Sequence, residues 1–200
     1  MTTPPLARCR SALETYLDAK DNTRAERIAE VFAPDAVLTF SLATSNIAFP
    51  ARTVGTAAIA RTLVSDFGAQ YVQCRTYYVC DALTVSGHEI EALPWLVLMR
   101  EPAADALRVG HGVYRWTFGF DAATDEWRVT HFHIHIARMD VVPDPDGVLL
   151  AALQDGLSYP WLTPAALRER FETLARSTPA LEFIHAFAAP ATSPSPDVSM

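Results

Sequence analysis

Four side chains could together move a proton: Asp21, His111, Tyr16 and Tyr114. A carboxylate in the wall of an apolar cavity loses hydration, which raises its pKa and suits it to accept and return a proton near neutral pH. A neighbouring histidine or tyrosine can then donate to a substrate oxygen. If the four converge they form a cofactor-free acid–base site. Each also has a plainer use. Asp21 sits where a helix ends and the next turn needs a cap, and a buried tyrosine is commonly a core residue with one satisfied hydroxyl. Phe40, Trp95 and Trp116 would supply the apolar walls of such a cavity, or simply core.

A second group lies in one stretch: His131, His133 and His135 alternate with Phe132, Ile134 and Ile136. Successive side chains on a strand point to opposite faces, so the three histidines share one face and the apolar residues the other. Neighbouring histidines are ~6.8 Å apart along the strand and two could clasp one metal ion, but the outermost pair, ~13 Å apart, could not. No Asp, Glu or Cys is evidently placed as a further ligand, and no metal or other cofactor is expected. The face is dimer interface or surface, pocket acid–base chemistry, or a metal site. Register decides: a pairing of Tyr114 with His133 would bring the histidines beside Tyr114 and Trp116, and one bulge reverses the outcome.

These residues need elements to hold them. The histidines fall on the second strand of a hairpin, Val109 to Phe120 and Trp127 to Ala137, joined by the polar loop 121–126. Leu6, Cys9, Leu13, Tyr16 and Leu17 recur at helical spacing and predict a first helix over Pro5 to Lys20. Thr23-Arg-Ala-Glu26 reads as a capping box opening a second helix with Ile28, Ala29 and Phe32 inward, stopped by Pro34. A strand over Ala36 to Leu42 and a third helix over Thr56 to Phe67, closed by Gly68, come next. Tyr71 to Val85 and Glu89 to Arg100, turned by Ser86-Gly87, lead into the hairpin. Helices first and a meander after give an α+β plan, a curved antiparallel sheet carrying three N-terminal helices.

Beyond Val142 lie extra C-terminal helices. A turn at 143–147 precedes a short apolar helix over Val148 to Leu153. Thr163-Pro164 opens another with Leu167, Phe171 and Leu174 inward, and Pro179 a last one through Phe183, Ile184 and Phe187. They could lie over a pocket mouth, wrap a partner subunit or pad the sheet. The division is residues 1–142 as the main domain, 143–188 as a helical extension and 189–200 as a disordered tail.

Two hundred residues, half of them hydrophobic, suffice for one core, and a net charge of -7 with dispersed arginines argues against a nucleic-acid surface. No run approaches the ~20 apolar residues of a membrane span, so no membrane is expected, and the chain reads as cytoplasmic. Three cysteines are an odd number. Cys74 and Cys80, ~20 Å apart on one expected strand, could not pair.

Val31-Phe-Ala-Pro-Asp-Ala36 after helix–turn–helix, then Gly55, Gly112-Val-Tyr114 and Trp127-Arg-Val129, resemble the SnoaL-like branch of the nuclear transport factor two-like superfamily. The likeness spans roughly residues 5 to 142. It implies a cone, a bent sheet closed by helices around an apolar cavity, and a homodimer through the outer sheet face. The closest enzymatic likeness is to scytalone dehydratase and related dehydrochlorinases. Counted without a gap, Asp21 matches their catalytic carboxylate and His111 one pocket histidine, while Gln73-Cys74 stands where the partner histidine belongs. The resemblance also implies that Thr130, Phe132 and Ile134 line the pocket, leaving the histidines outside. Against a ketosteroid isomerase Tyr16 matches a hydrogen-bond donor, but Phe40 and Trp116 replace the acids that chemistry requires.

Two functions follow. The first is a cofactor-free dehydration, elimination or isomerisation of a cyclic apolar molecule, Asp21 acting and His111 assisting. The second is a non-catalytic binder of an apolar ligand or partner subunit. Contact between Asp21 and a histidine in a closed cavity separates them.

Overall fold

The computed structural model describes residues 3–122 and 124–193. The apolar stripe of the first helix produces α1 (Leu6–Asp21), with Cys9, Leu13, Tyr16 and Leu17 fully buried. The capping box does not form. Thr23 adopts a left-handed φ of 56°, and its side chain packs on Gly68. The chain continues as a 3-10 turn (Ala25–Arg27) and a single turn of helix, α2 (Ile28–Val31), without a side-chain cap. The third helix is α3 (Thr56–Ala60), a π-helical Arg61–Ser65 and α4 (Asp66–Gln70). It runs past Gly68, which is inside the last turn rather than beyond it.

Among the described residues seven strands make one curved sheet in the order β2-β1-β6-β5-β4-β3-β7. They are β1 (Phe32–Leu42), β2 (Arg52–Val54), β3 (Val72–Val79), β4 (Glu89–Glu101), β5 (Ala106–Asp121), β6 (Glu126–Pro143) and β7 (Trp161–Leu162). The sheet is mixed where an antiparallel one was expected, because β1 runs parallel to β6 and β7 parallel to β3. β3 ends at Val79, six residues short of its expected end at Val85.

Register in the β5–β6 hairpin is set by two bulges. Phe118 pairs with Val129 and Thr117 with His131, so Thr130 is extra; His111 pairs with Arg138 and Gly112 with Ile136, so Ala137 is extra. Between them Tyr114 faces Ile134 and Trp116 faces Phe132. The inner face therefore carries Phe132, Ile134 and Ile136, and the histidines lie outside with Thr117, Arg115 and Val113. Val129, not Thr130, takes the inward position before the bulge.

The inner face and the N-terminal helices share one core. A second core lies on the outer face, where Tyr77, Val79, Leu96, Leu98, Leu107 and Val109 meet the C-terminal extension. That extension comprises α5 (Val148–Gln154), α6 (Pro164–Ser177), capped by the Thr163 hydroxyl accepting from Ala166 N–H, and a 3-10 helix, Pro179–Phe187. Of the three uses open to these helices, they pad the sheet: the extension covers outer-face residues of β3, β4 and β5. The segment expected to be disordered begins packed, with Ala191 buried; its remainder, 194–200, lies outside the described residues. Among the described residues no helix is long and apolar enough to cross a membrane.

Gly112 lies at the Ala137 bulge, where a Cβ would overlap the His135 backbone carbonyl and meet the Trp95 ring. Gly112→Ala should therefore cost more than ~2 kcal/mol, since backbone cannot yield as a side chain can, and the midpoint of urea unfolding measures it.

Candidate functional site

The inner face encloses a small apolar cavity of about 40 Å³. Tyr16 and Lys20 reach it from α1, Phe40 from β1, Leu63 and Phe67 from the third helix, and Trp95, Tyr114 and Ile134 from the sheet. Trp116 and Phe132 do not border it. Their rings stack 3.7 Å apart, fully buried, and fill the narrow end of the cone with Phe32 and the Tyr16 ring. Ile47, Phe49 and Phe67 border both this cavity and a larger polar vestibule of about 440 Å³. Phe49 stacks on Phe40 at 4.4 Å. Its loop is held by Arg108 donating to the Asn46 carbonyl and by the Asn46 amide donating to Met139 O.

The cavity wall is apolar, and the polar groups of its lining residues are buried behind it. Tyr16 Oη and Trp95 Nε1 are buried without a hydrogen-bond partner, an arrangement that costs free energy until an acceptor arrives. Lys20, one helical turn beyond Tyr16, is buried with its ammonium 4.5 Å from the centre of the Phe67 ring. It donates to Asp21 Oδ1 at 2.9 Å, Thr76 Oγ1 at 2.8 Å and Cys74 Sγ at 3.3 Å. Burial alone would lower its pKa; the Asp21 carboxylate beside it more than offsets this and raises it. Lys20 stays charged.

Asp21 does not border the cavity. It lies behind Lys20, its side chain 3% exposed. Besides Lys20 it accepts from Thr76 N at 2.6 Å, Thr76 Oγ1 at 3.0 Å, Cys74 Sγ at 3.3 Å and Tyr159 Oη at 3.1 Å. Five donors occupy the roughly four lone-pair sites of a carboxylate, leaving none for a substrate proton. At the position where the resemblance places a histidine, Cys74 supplies a thiol pushed up to about 12, by burial first and by Asp21 second. It donates here and is no base. Burial pushes the Tyr16 and Tyr114 hydroxyls up as well, so both stay protonated.

His111 is on the opposite face of the sheet from Asp21. Its ring lies 4.8 Å from Phe187 under the extension, with Nδ1 buried and unpartnered, and burial and Arg138 lower its pKa. The expected Asp21–His111 pair is not assembled, because strand alternation at position 111 points outward. Thr130 is likewise displaced from the pocket by its bulge. Tyr16, Tyr114, Phe40, Trp95 and Ile134 do meet at the cavity. Sequence reasoning missed Lys20, Thr76 and Tyr159; Lys20 continues the α1 stripe one turn beyond Tyr16 and was open to detection on that ground. Among the described residues no three His, Cys, Asp or Glu side chains are placed to hold a metal ion.

Fold and cavity together define a cone protein with an internal chamber. The chain belongs to the SnoaL-like domain family, whose pattern matches residues 6–133. Its fold is similar to that of LinA, at 15% identity and a TM-score of 0.55 over 66% of this chain and 86% of that one. The hexachlorocyclohexane dehydrochlorinase LinA-type3 of Novosphingobium barchaimii matches at 14% identity and a TM-score of 0.53, covering 68% of this chain and 88% of its own. A nuclear transport factor 2-like superfamily protein of Salmonella enterica matches at 15% identity and a TM-score of 0.52, with 64% and 87% covered. No curated protein matches.

Lys20→Met leaves the buried Asp21 carboxylate without its counter-charge and should cost about 3–5 kcal/mol. Adding Asp21→Asn should recover more than half of that loss in urea unfolding. His111 gives a pH signature: its folded pKa is below the ordinary 6.5, so the unfolded chain takes the proton more readily. Its contribution is complete above that value and is lost as pH falls through it. Thermal unfolding across the range should show a shallower acid slope for His111→Phe.

Proposed function

We propose that this SnoaL-like protein holds a small cyclic apolar molecule in the cone and recognises one acceptor oxygen on it. The observation that carries the reading is the imbalance at the cavity. Tyr16, Trp95 and Lys20 bring the polar groups nearest an otherwise apolar wall, the Tyr16 hydroxyl and Trp95 N–H being buried without a hydrogen bond of ordinary length, and no carboxylate or imidazole lines the same space. Such a wall complements a carbonyl or alkoxide oxygen on an otherwise greasy body, with Phe40, Trp95, Tyr114 and Ile134 contacting the body. The chamber of about 40 Å³ has room for only a few water molecules, so a ring is held only once Ile47, Phe49 and Phe67 turn aside and open it to the vestibule, through which entry runs. The unpaired Cys9, Cys74 and Cys80 accord with a reducing, cytoplasmic setting.

A second reading, cofactor-free elimination or isomerisation, is favoured by the Lys20–Asp21 pair. Lys20 would stabilise negative charge developing on the bound oxygen, and Asp21 would hold Lys20 in place. Turnover then needs a base, and Asp21 serves as one only after losing Tyr159 or Thr76. The folds of LinA and the dehydrochlorinase of Novosphingobium barchaimii lend this reading its reaction class.

Native mass spectrometry and tryptophan fluorescence with small cyclic ketones, beside hydrocarbons of the same shape, test the first reading. The ketones should bind and the hydrocarbons bind about tenfold more weakly. Tyr16→Phe removes a buried hydroxyl whose polar neighbour is the Tyr114 hydroxyl. It should change folding stability by less than about 1 kcal/mol and weaken ketone binding about fivefold. Equal binding of ketone and hydrocarbon, or indifference to Tyr16→Phe, defeats the reading. Product formed from the ketone would establish the second.

A further inference from the structure

The outer-face histidines are joined through the hydroxyls of β1. His131 Nε2 lies 3.0 Å from Thr39 Oγ1, which lies 2.8 Å from His133 Nδ1. His133 Nε2 lies 3.0 Å from Ser41 Oγ, which lies 2.8 Å from His135 Nδ1. The result is an unbroken ladder of three imidazoles and two hydroxyls bordering a groove of about 350 Å³, together with Glu91, Val113, Arg115 and Ser193. Arg115 pairs directly with His133, and its Nε donates to the Glu91 carbonyl at 3.5 Å, so its charge acts on the ladder from the β4 side. Both His133 nitrogens are spent on hydroxyls, which leaves no lone pair there for a metal ion.

Hydrogen counting gives the ladder a definite capacity. Each of its four contacts holds one hydrogen. Three neutral imidazoles and two hydroxyls bring five, so one is left over, on His131 Nδ1 or on His135 Nε2. One end then donates and the other accepts. A sixth hydrogen makes both ends donors and preserves every contact; a seventh must break one. Rotation of the two hydroxyls lets the added charge reside on any of the three rings.

We propose that this groove is a second binding site, for a small oxyanion, completed when the ladder takes up one proton as a unit. Arg115 supplies the permanent charge and the ladder the conditional one. The groups facing the ladder are Arg115 on β5, Glu89 and Glu91 on β4, Arg52 on β2, and Thr39 and Ser41 on β1. Burial lowers all three histidines from 6.5, so the ladder is neutral at pH 7 and charges on acidification.

The test uses sulfate, whose own charge does not change over the range, followed by imidazole proton resonances at about pH 5.5 and about pH 7.5. The three imidazoles should titrate with one shared midpoint and one proton in total, and sulfate should bind about tenfold more tightly on the acid side. Arg115 is exposed, so Arg115→Gln should fold normally, keep the shared titration and lose at least most of the sulfate response. Ser41→Ala should split off His135 as an independent titration. Three separate midpoints in the unaltered protein, or sulfate binding indifferent to pH or to Arg115→Gln, would overturn the proposal.

Discussion

The register of the β5–β6 hairpin governs the rest of the molecule. Two single-residue bulges, at Thr130 and Ala137, keep the aromatic residues of both strands on one face despite shifts in their pairing. Without the first, His131 would continue the inward series of Trp127 and Val129, and the imidazoles would point into the cone. With it, Trp116 and Phe132 stack inside while the imidazoles meet Thr39 and Ser41 outside. Gly112, where backbone approaches backbone, allows the second shift.

Within that frame the buried Lys20–Asp21 pair defines the chemistry of the interior. A lone ammonium or carboxylate could not remain charged there; the pair, with Thr76, Cys74 and Tyr159, can. The arrangement turns a carboxylate that looked like a proton acceptor into the anchor of a cation. The cavity wall itself is left apolar, with no carboxylate or imidazole lining it. Tyr159 belongs to the C-terminal extension, so the part of the chain that pads the sheet also completes the shell around Asp21.

How much of this was readable from the sequence depends on the range of the interaction. The α1 stripe, the hairpin, the meander and the caps at Thr163 and Pro164 are local patterns, and they appear as expected. The cavity-lining set of Tyr16, Tyr114, Phe40, Trp95 and Ile134 followed from alternation and from the family resemblance. Thr23 failed as a cap because its side chain meets Gly68, 45 positions away, a contact no local motif encodes. His111 was misplaced because counting along a strand gives position but not facing. Lys20 lies on the α1 stripe beside Asp21, but its other hydrogen-bond partners, Cys74 and Thr76, are more than 50 residues downstream and join it only once β3 is set beside α1.

The loop carrying Ile47 and Phe49 stands between the vestibule and the inner chamber, stacked on Phe40 and tied by Arg108 and Asn46. Any guest inside leaves no faster than that tether loosens. Residence time is then set by the loop's own opening rate, and two guests of very different affinity for the wall can share nearly the same rate of entry.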